Sequence, residues 1–398
     1  MASERHVIVA GAGIAGLTAA LALARRGMRV TVLEQTERIE DAGAGIQLSP
    51  NATRVLIGLG LRERLERTAI VPQAIRVMAG GAGREIVRIP LGNTVEQKYG
   101  APYWAIHRGD LQTALVEAAR AHPDITLMLG VRVEDFAMHE NGLTVQGHRA
   151  QQVVDERGLA LIGADGVWSA VRGRLRRQHP PRFRHRTAWR ALLPVRDAAP
   201  HLSDPVIHLW LGQDAHLVHY PVKGGALINM VAIVRDEWRG ENWSAPGDNA
   251  EILRHFARWS WTESVREMIA APERWQKWAL YDRGARNRTG SGAVTLIGDA
   301  AHPMLPFLAQ GAGMAIEDAA VLAEALAKNL DNPPKGLRAY ERTRRARNAQ
   351  AQKASRRQGR IYGLTGPEAL IRNLAMRAIG GEKLLARYDW LYNWQPPS

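Results

Sequence analysis

His216 and Tyr220 stand four residues apart in AHLVHYPV, residues 215–222, and together could carry proton chemistry. Side chains alternate along a strand, so His216, Val218 and Tyr220 share one face while Leu217, His219 and Pro221 take the other. An imidazole beside a phenol can accept a proton, with the phenol as a hydrogen-bond donor. His219 points away from that face and is set aside. His302, in GDAAHP at residues 298–303, has no second histidine near it to complete a metal site, and none is expected. The chain contains no cysteine, which excludes disulfides, thiolate metal centres and cysteine nucleophiles.

Glycine-bearing turns point to a larger ligand. Gly11-Ala12-Gly13-Ile14-Ala15-Gly16 follows the apolar run HVIVA and opens a helix. Glycines there permit a tight turn and close backbone approach to a pyrophosphate, while the helix N-terminus favours the anion. Glu34 ends the next apolar run, RVTVLE, 18 residues after Gly16, where an acid can accept a hydrogen bond from an adenosine ribose. Asp165 in LIGADGVWSAVR (161–172) and Asp299 in LIGDAAHP (296–303) are each released at the carboxyl end of an apolar run. That edge is where open α/β sheets bind ligands. In LAQGAGMAIEDA (308–319), Gly311, Ala312 and Gly313 leave bare N–H groups at a helix N-terminus, suited to negative charge on a ring edge.

In this order, GxGxxG, GADG and GDAAHP resemble the single-component FAD-dependent aromatic hydroxylases over nearly the whole chain, and the salicylate hydroxylase group most. The resemblance implies FAD as cofactor, NADH or NADPH as co-substrate, and a small aromatic acid with molecular oxygen as reactants. It implies FAD contacts at Gly11, Gly13, Ala15, Gly16, Glu34, Gln35, Arg108, Val131, Asp165, Asp299, Gly311, Ala312 and Gly313. Among these, Glu34 would serve the adenosine ribose, Arg108 the ribityl and pyrophosphate region, and Asp299 the ribityl chain. Asp165 belongs to a motif linked to both FAD and the pyridine nucleotide. The catalytic pair is then His216 as base and Tyr220 as its partner or the substrate's anchor, while His302 shapes the flavin-binding turn. Two departures favour an apolar benzenoid ring over a pyridine: MLPFLA after Pro303, and Gln47 in GAGIQLSPN. Trp189-Arg190 reads equally as a neighbour of the substrate carboxylate or as a stacked structural pair.

These residues need a scaffold. Strands at 6–10 and 29–34 flank a helix at 14–26, a βαβ unit that starts a parallel sheet. Asp110 is the expected N-cap of the helix LQTALVEAARA, strands follow near 125–129, 143–146 and 159–163, and 294–298 returns to the sheet. Residues 176–280 hold eight of the twelve tryptophans, and VIHLWL, AHLVHYPV and ALINMVAIV alternate with short glycine turns, a hairpin meander. The fold class is therefore α/β: a Rossmann-like FAD-binding domain (1–75, 100–175 and 281–335), an inserted antiparallel-sheet substrate domain (76–99 and 176–280), and a helical C-terminus (336–398).

A chain of 398 residues with 46% hydrophobic content can bury a sizeable core. No apolar run approaches membrane-span length, so no membrane association and a cytoplasmic location are expected, as a monomer or homodimer. The net charge of +14 concentrates in residues 335–360, ten Lys or Arg against one Glu. That run reads as the solvated face of a long exposed helix, and without interleaved aromatics nucleic-acid binding is not favoured. The expected activity is hydroxylation of a phenolic aromatic carboxylate, with decarboxylative conversion of salicylate to catechol foremost. Hydroxybenzoate or 6-hydroxynicotinate hydroxylation is the alternative, and a non-catalytic flavin- or nucleic-acid-binding protein the rival of another class.

Overall fold

The structure, a computed structural model, describes residues 5–397 apart from 40–42, 176–179, 200–201, 239, 241, 258–260 and 285–288. The β-branched run HVIVA forms strand His6–Ala10 at the centre of a six-stranded sheet. It pairs in parallel with Arg29–Glu34 on one side and Ala160–Gly163 on the other. Ile125–Leu129 and Val294–Leu296 extend the sheet in parallel, and Gly290–Ser291 closes it antiparallel. Both faces are covered, which is why these strands read as continuous apolar runs rather than alternating ones.

Several boundaries differ from expectation for local reasons. The first helix spans Ile14–Ala24 and stops before Gly27, whose φ of 76° reverses the chain. Asp110 lies inside the first turn of helix Arg108–Ala121, and His107 is the N-cap. The last parallel strand ends at Leu296, because Gly298, at φ 56°, turns into the short helix Gly298–Ala301. The strand expected near 143–146 runs from Gly142 to Arg149 and belongs to a separate three-stranded meander with Val131–His139 and Gln152–Gly158.

An eight-stranded sheet stands against this unit, ordered Ser244–Gly247, Trp275–Asp282, Arg182–Pro194, Leu227–Arg235, Ala215–Val222, Ile207–Leu211, Ala74–Ala79, Glu85–Pro90. It is antiparallel except that Ile207–Leu211 and Ala74–Ala79 run parallel. Its two faces bury different chemistry. Trp189, Trp210, Trp261 and Trp275 pack with Leu217 and helices Asn249–Ala257 and Glu263–Ala270. The other face is mainly Ile, Val and Leu, with His216 and Tyr220 set among them. Trp189, Trp210, Trp261 and Trp275 therefore form a core behind the sheet.

The basic C-terminal segment is helix Pro333–Tyr362, and it is more than a solvated face. Arg344 is buried and bonds Glu317 at 2.6 Å and Asp318 at 2.7 Å. Arg347 bonds Glu317 at 2.6 Å, and Arg356 bonds Asp282 at 2.6 Å. One side of the helix is thus an internal set of ion pairs, while Arg342, Arg345, Lys353, Arg357 and Arg360 remain exposed. No described helix is long and apolar enough to cross a membrane.

Candidate active site

The carboxyl edge of the parallel sheet is built from backbone. Gly11 adopts φ 104°, and a Cβ there would lie 2.6 Å from the Ala164 carbonyl oxygen. At Gly16 a Cβ would come within 1.9 Å of the Gly11 oxygen. These two glycines are needed for close packing of the turn itself. Gly13 and Gly311, by contrast, have nothing within 4 Å on the Cβ side, so their open space is left for a ligand. Glu34 reaches back from its strand end: its Oε2 accepts from the Ala12 N–H at 2.7 Å, and its Oε1 accepts from the Thr36 N–H at 3.0 Å. The acid thereby fixes the glycine turn it stands beside, and Gln35 next to it is exposed.

The other motif acids hold turns as well. Asp165 accepts from Ser169 Oγ at 2.5 Å and from the Val171 N–H at 3.0 Å, tying down the start of helix Ala170–Arg174. Burial pushes its carboxyl up, opposed by these bonds. Arg172 from the same motif is buried and donates to the carbonyls of Ala300 and Ala301, both at 2.5 Å, clamping the second turn to the third. Its burial, with Arg283 nearby, lowers its pKa to about 10. Val131 has its side chain buried in the core, so only its backbone can face a ligand. Ala15 is half-buried and lies across from Gly298, where a Cβ would approach it to 3.0 Å.

His302 is anchored away from the cavity. Its Nε2 bonds Asp318, which also accepts from the Gly298 N–H at 3.1 Å and from Arg344. Burial would raise Asp318, but His302 and Arg344 hold it well below the usual carboxylate range. The loop between them leads to Ala309, a non-glycine residue at φ 51°, and into helix Gly311–Ala327. Its first-turn N–H groups, at Gly311, Ala312 and Gly313, lack intrahelical partners by geometry.

Facing that helix start is a cavity of about 520 Å³ that Asp299, Gly311 and Ala312 line on one side, and His216, Val218 and Tyr220 on the other. Enclosure pushes the Asp299 carboxyl up against the pull of His302, Arg108 and Arg190, although the residue keeps solvent access through the cavity. Arg108, exposed at the first position of its helix, supplies positive charge beside it. His216 is 2% exposed and lies 5.5 Å from the Phe307 ring and 5.2 Å from the Tyr362 ring. Burial pushes its imidazole down to about 3, and Arg186 adds to the shift, so it is neutral at physiological pH. Burial drives the Tyr220 phenol well up, opposed by Arg190 and by a bond to Gln47. His219 is on the far face, accepting from Trp210 Nε1 at 3.0 Å and stacked on His208.

Trp189 and Arg190 part company. Trp189 is fully buried behind the sheet, and Arg190 stacks on Trp278, its charge reaching Tyr220 and Asp299. Burial lowers the Arg190 pKa, with Arg108 contributing. Gln47 takes a bond from the Tyr103 hydroxyl at 2.7 Å and lines the cavity with it. Tyr103 and Tyr362 had no motif to announce them. Gly45 bears on Tyr220 instead: a Cβ there would lie 2.6 Å from Asn229 and 2.8 Å from the Tyr220 ring.

Open room above Gly13 and Gly311, a bare helix N-terminus and a carboxylate at the strand edge fit a flavin dinucleotide lying across the sheet. Fold and site define a dinucleotide-binding flavoprotein with a covered ring pocket. The chain belongs to the FAD binding domain family, whose pattern it matches over residues 4–355. It is 37% identical to a 3-hydroxybenzoate 6-hydroxylase of Polaromonas naphthalenivorans (strain CJ2) over 393 residues, covering 98% of this chain and 96% of that protein. A 3-amino-4-hydroxybenzoate 2-monooxygenase of Streptomyces platensis is 38% identical over 394 residues, covering 98% and 96%. Among solved structures, a salicylate hydroxylase substrate complex superposes with a TM-score of 0.82 at 26% identity, covering 100% of both chains. The chain is accordingly an FAD-dependent monooxygenase of the aromatic hydroxylase type. The hydroxybenzoate hydroxylases displace salicylate as the leading guide to its substrate.

Proposed function

We propose that the enzyme adds a hydroxyl group to the ring of a hydroxybenzoate, keeping the carboxylate, at the expense of NADH or NADPH and dioxygen. One observation carries the reading: the buried His216 and Tyr220 open into the same cavity as Asp299, Gly311 and Ala312. One oxygen atom enters the ring and the other leaves as water, with the two electrons drawn from the nicotinamide. Bound FAD supplies the redox and oxygen chemistry. Glu34 and the Gly11–Gly16 turn would hold its adenosine and pyrophosphate end, and Arg108 and Asp299 its ribityl chain. The first-turn amides of Gly311, Ala312 and Gly313 would stabilise negative charge on a ring bound there.

The remaining work falls to the roof. His216 Nε2 or Nδ1 accepts the substrate's phenolic proton, which enriches the ring for attack. An imidazole held near 3 is a weak base until an anionic substrate arrives, and the substrate's own carboxylate shifts it toward proton uptake. Tyr220, steadied by Gln47 and by Arg190, donates to a substrate oxygen. The aliphatic wall keeps water from the reacting centre.

A panel of 2-, 3- and 4-hydroxybenzoate and 6-hydroxynicotinate, scored by product rather than by nicotinamide loss, tests the reading. The expected result is a dihydroxybenzoate from 3-hydroxybenzoate with one oxygen gained. Salicylate turnover to catechol with none from 3-hydroxybenzoate would restore the second reading, which the substrate-complex neighbour supports.

A further inference from the structure

We propose that the substrate of this site is a phenolic acid bearing an apolar substituent, an alkyl chain or second ring, lodged in an aliphatic annex of the cavity. The inference rests on the hydroxybenzoate reading and narrows its substrate class. The groups able to bind a hydroxylated acid, Gln47, Tyr103, His216 and Tyr220, gather where the cavity meets the Asp299 and Gly311 turns. Beyond His216 the same cavity continues between the Ala74–Ala79 and Ile207–Leu211 strands and helix Gly366–Ile379. Its wall there is Val77, Ile89, Leu209, Met376, Ile379 and Leu384, which also form one packed apolar cluster.

A bare hydroxybenzoate held by the polar end leaves the cavity beside that wall unfilled. An apolar void lined by aliphatic side chains stays dry, and its lining forfeits dispersion contacts that an apolar group would restore. The one arginine in the wall of this helix does not offer an anchor for a second charge. Arg372 is buried and is spent on the helix ends, donating to the carbonyls of Ile361 at 3.2 Å and Tyr362 at 3.1 Å and to Asn373 at 3.0 Å. Ala375, exposed yet lining the cavity, marks where the annex nears the surface. The same helix exposes Leu370, Ile371 and Leu374 on its outer side, while Gln358 and Arg387 add polar lining to the cavity.

The test measures product-scored kcat/KM for 3-hydroxybenzoate and for its ethyl and butyl derivatives at each free ring position. For the accepted position, KM should fall about fourfold per added methylene, the equivalent of about 0.8 kcal/mol each. Ile379→Trp, which fills the annex, should lower kcat/KM for the butyl acid at least tenfold more than for the bare acid. Met376→Ala, which widens it, should move the optimum to a longer chain, and FAD content and Tm check that both variants fold. Alkyl acids no better than the bare acid, with that preference unmoved in Ile379→Trp, would overturn the inference while leaving the hydroxybenzoate reading intact. Failure of every hydroxybenzoate, bare or alkylated, would overturn the reading itself. A separate apolar molecule is the competing occupant: decanoate that raises turnover of the bare acid, rather than competing with the butyl acid, would also overturn the inference.

Discussion

The cradle at the parallel-sheet edge is made of backbone, and the roof above it is made of side chains. In the cradle, positions are set by what cannot be present: a Cβ at Gly16 would lie 1.9 Å from a carbonyl oxygen, and one at Gly11 2.6 Å from another. Two of its acids bond the protein's own amides, Glu34 with Ala12 and Asp165 with Val171, and Asp299 faces the cavity. In the roof, positions are set by what fills space: His216, Val218 and Tyr220 alternate on one strand and are enclosed by Phe307 and Tyr362. A dinucleotide is the same in every relative, so backbone geometry can be written into glycines. Rings differ, so the selective surface is built from exchangeable side chains.

This contrast can be broken or sharpened by substitution, and the largest effect is expected in the cradle. Gly16→Val should prevent FAD retention or folding altogether, read as loss of flavin absorbance in the purified protein. Val218→Ala in the roof should keep its flavin, and a colourless Val218→Ala would break the division. Next comes the ion-pair core that braces the helix facing the cavity. Arg344→Met strands the buried Glu317 and Asp318 and should cost about 3–5 kcal/mol in denaturant unfolding. A loss under about 1 kcal/mol would mean that Arg347 and His302 suffice.

In the roof, His216→Asn should lower product formation about a hundredfold while flavin content stays at the wild-type level. Parallel loss of both would place His216 in the cradle's support instead. The remaining effect is on stability in acid, and it is smallest near neutral pH. Because the His216 pKa in the fold, about 3, lies below its ordinary value near 6.5, the unfolded chain binds the extra proton between those values. Stability is therefore full above pH 6.5 and is lost as pH falls toward 3, by up to about 1.4 kcal/mol per pH unit from this group. His216→Asn should flatten that part of the profile, and an unchanged acid slope would contradict the burial of a neutral imidazole.

How much of this was legible in the sequence follows the same divide. The βαβ start and the hairpins of the Ala215–Val222 region could be read because their patterns are local. The alternation that puts His216 and Tyr220 on one face is likewise a property of consecutive residues. What could not be read depends on distant partners. Tyr103 meets Gln47 from 56 residues away, and Arg344 meets Asp318 across 26. The basic helix looked solvated because no local rule says which of its arginines turns inward to Glu317. The tryptophans show the same limit: composition located them in the sheet, but only the register of the pairing, Trp210 opposite Leu217, decides which face they take.

On the proposed reading, the roof binds the aromatic acid over the flavin that the cradle would hold. A titration of 3-hydroxybenzoate into the FAD-loaded enzyme, followed by the flavin's visible spectrum, tests it most directly. The expected result is a saturable spectral change in the wild-type protein, and a Kd weakened about tenfold in Tyr220→Phe and His216→Asn with flavin retained. An unperturbed flavin spectrum, or the same Kd in both variants, would contradict it.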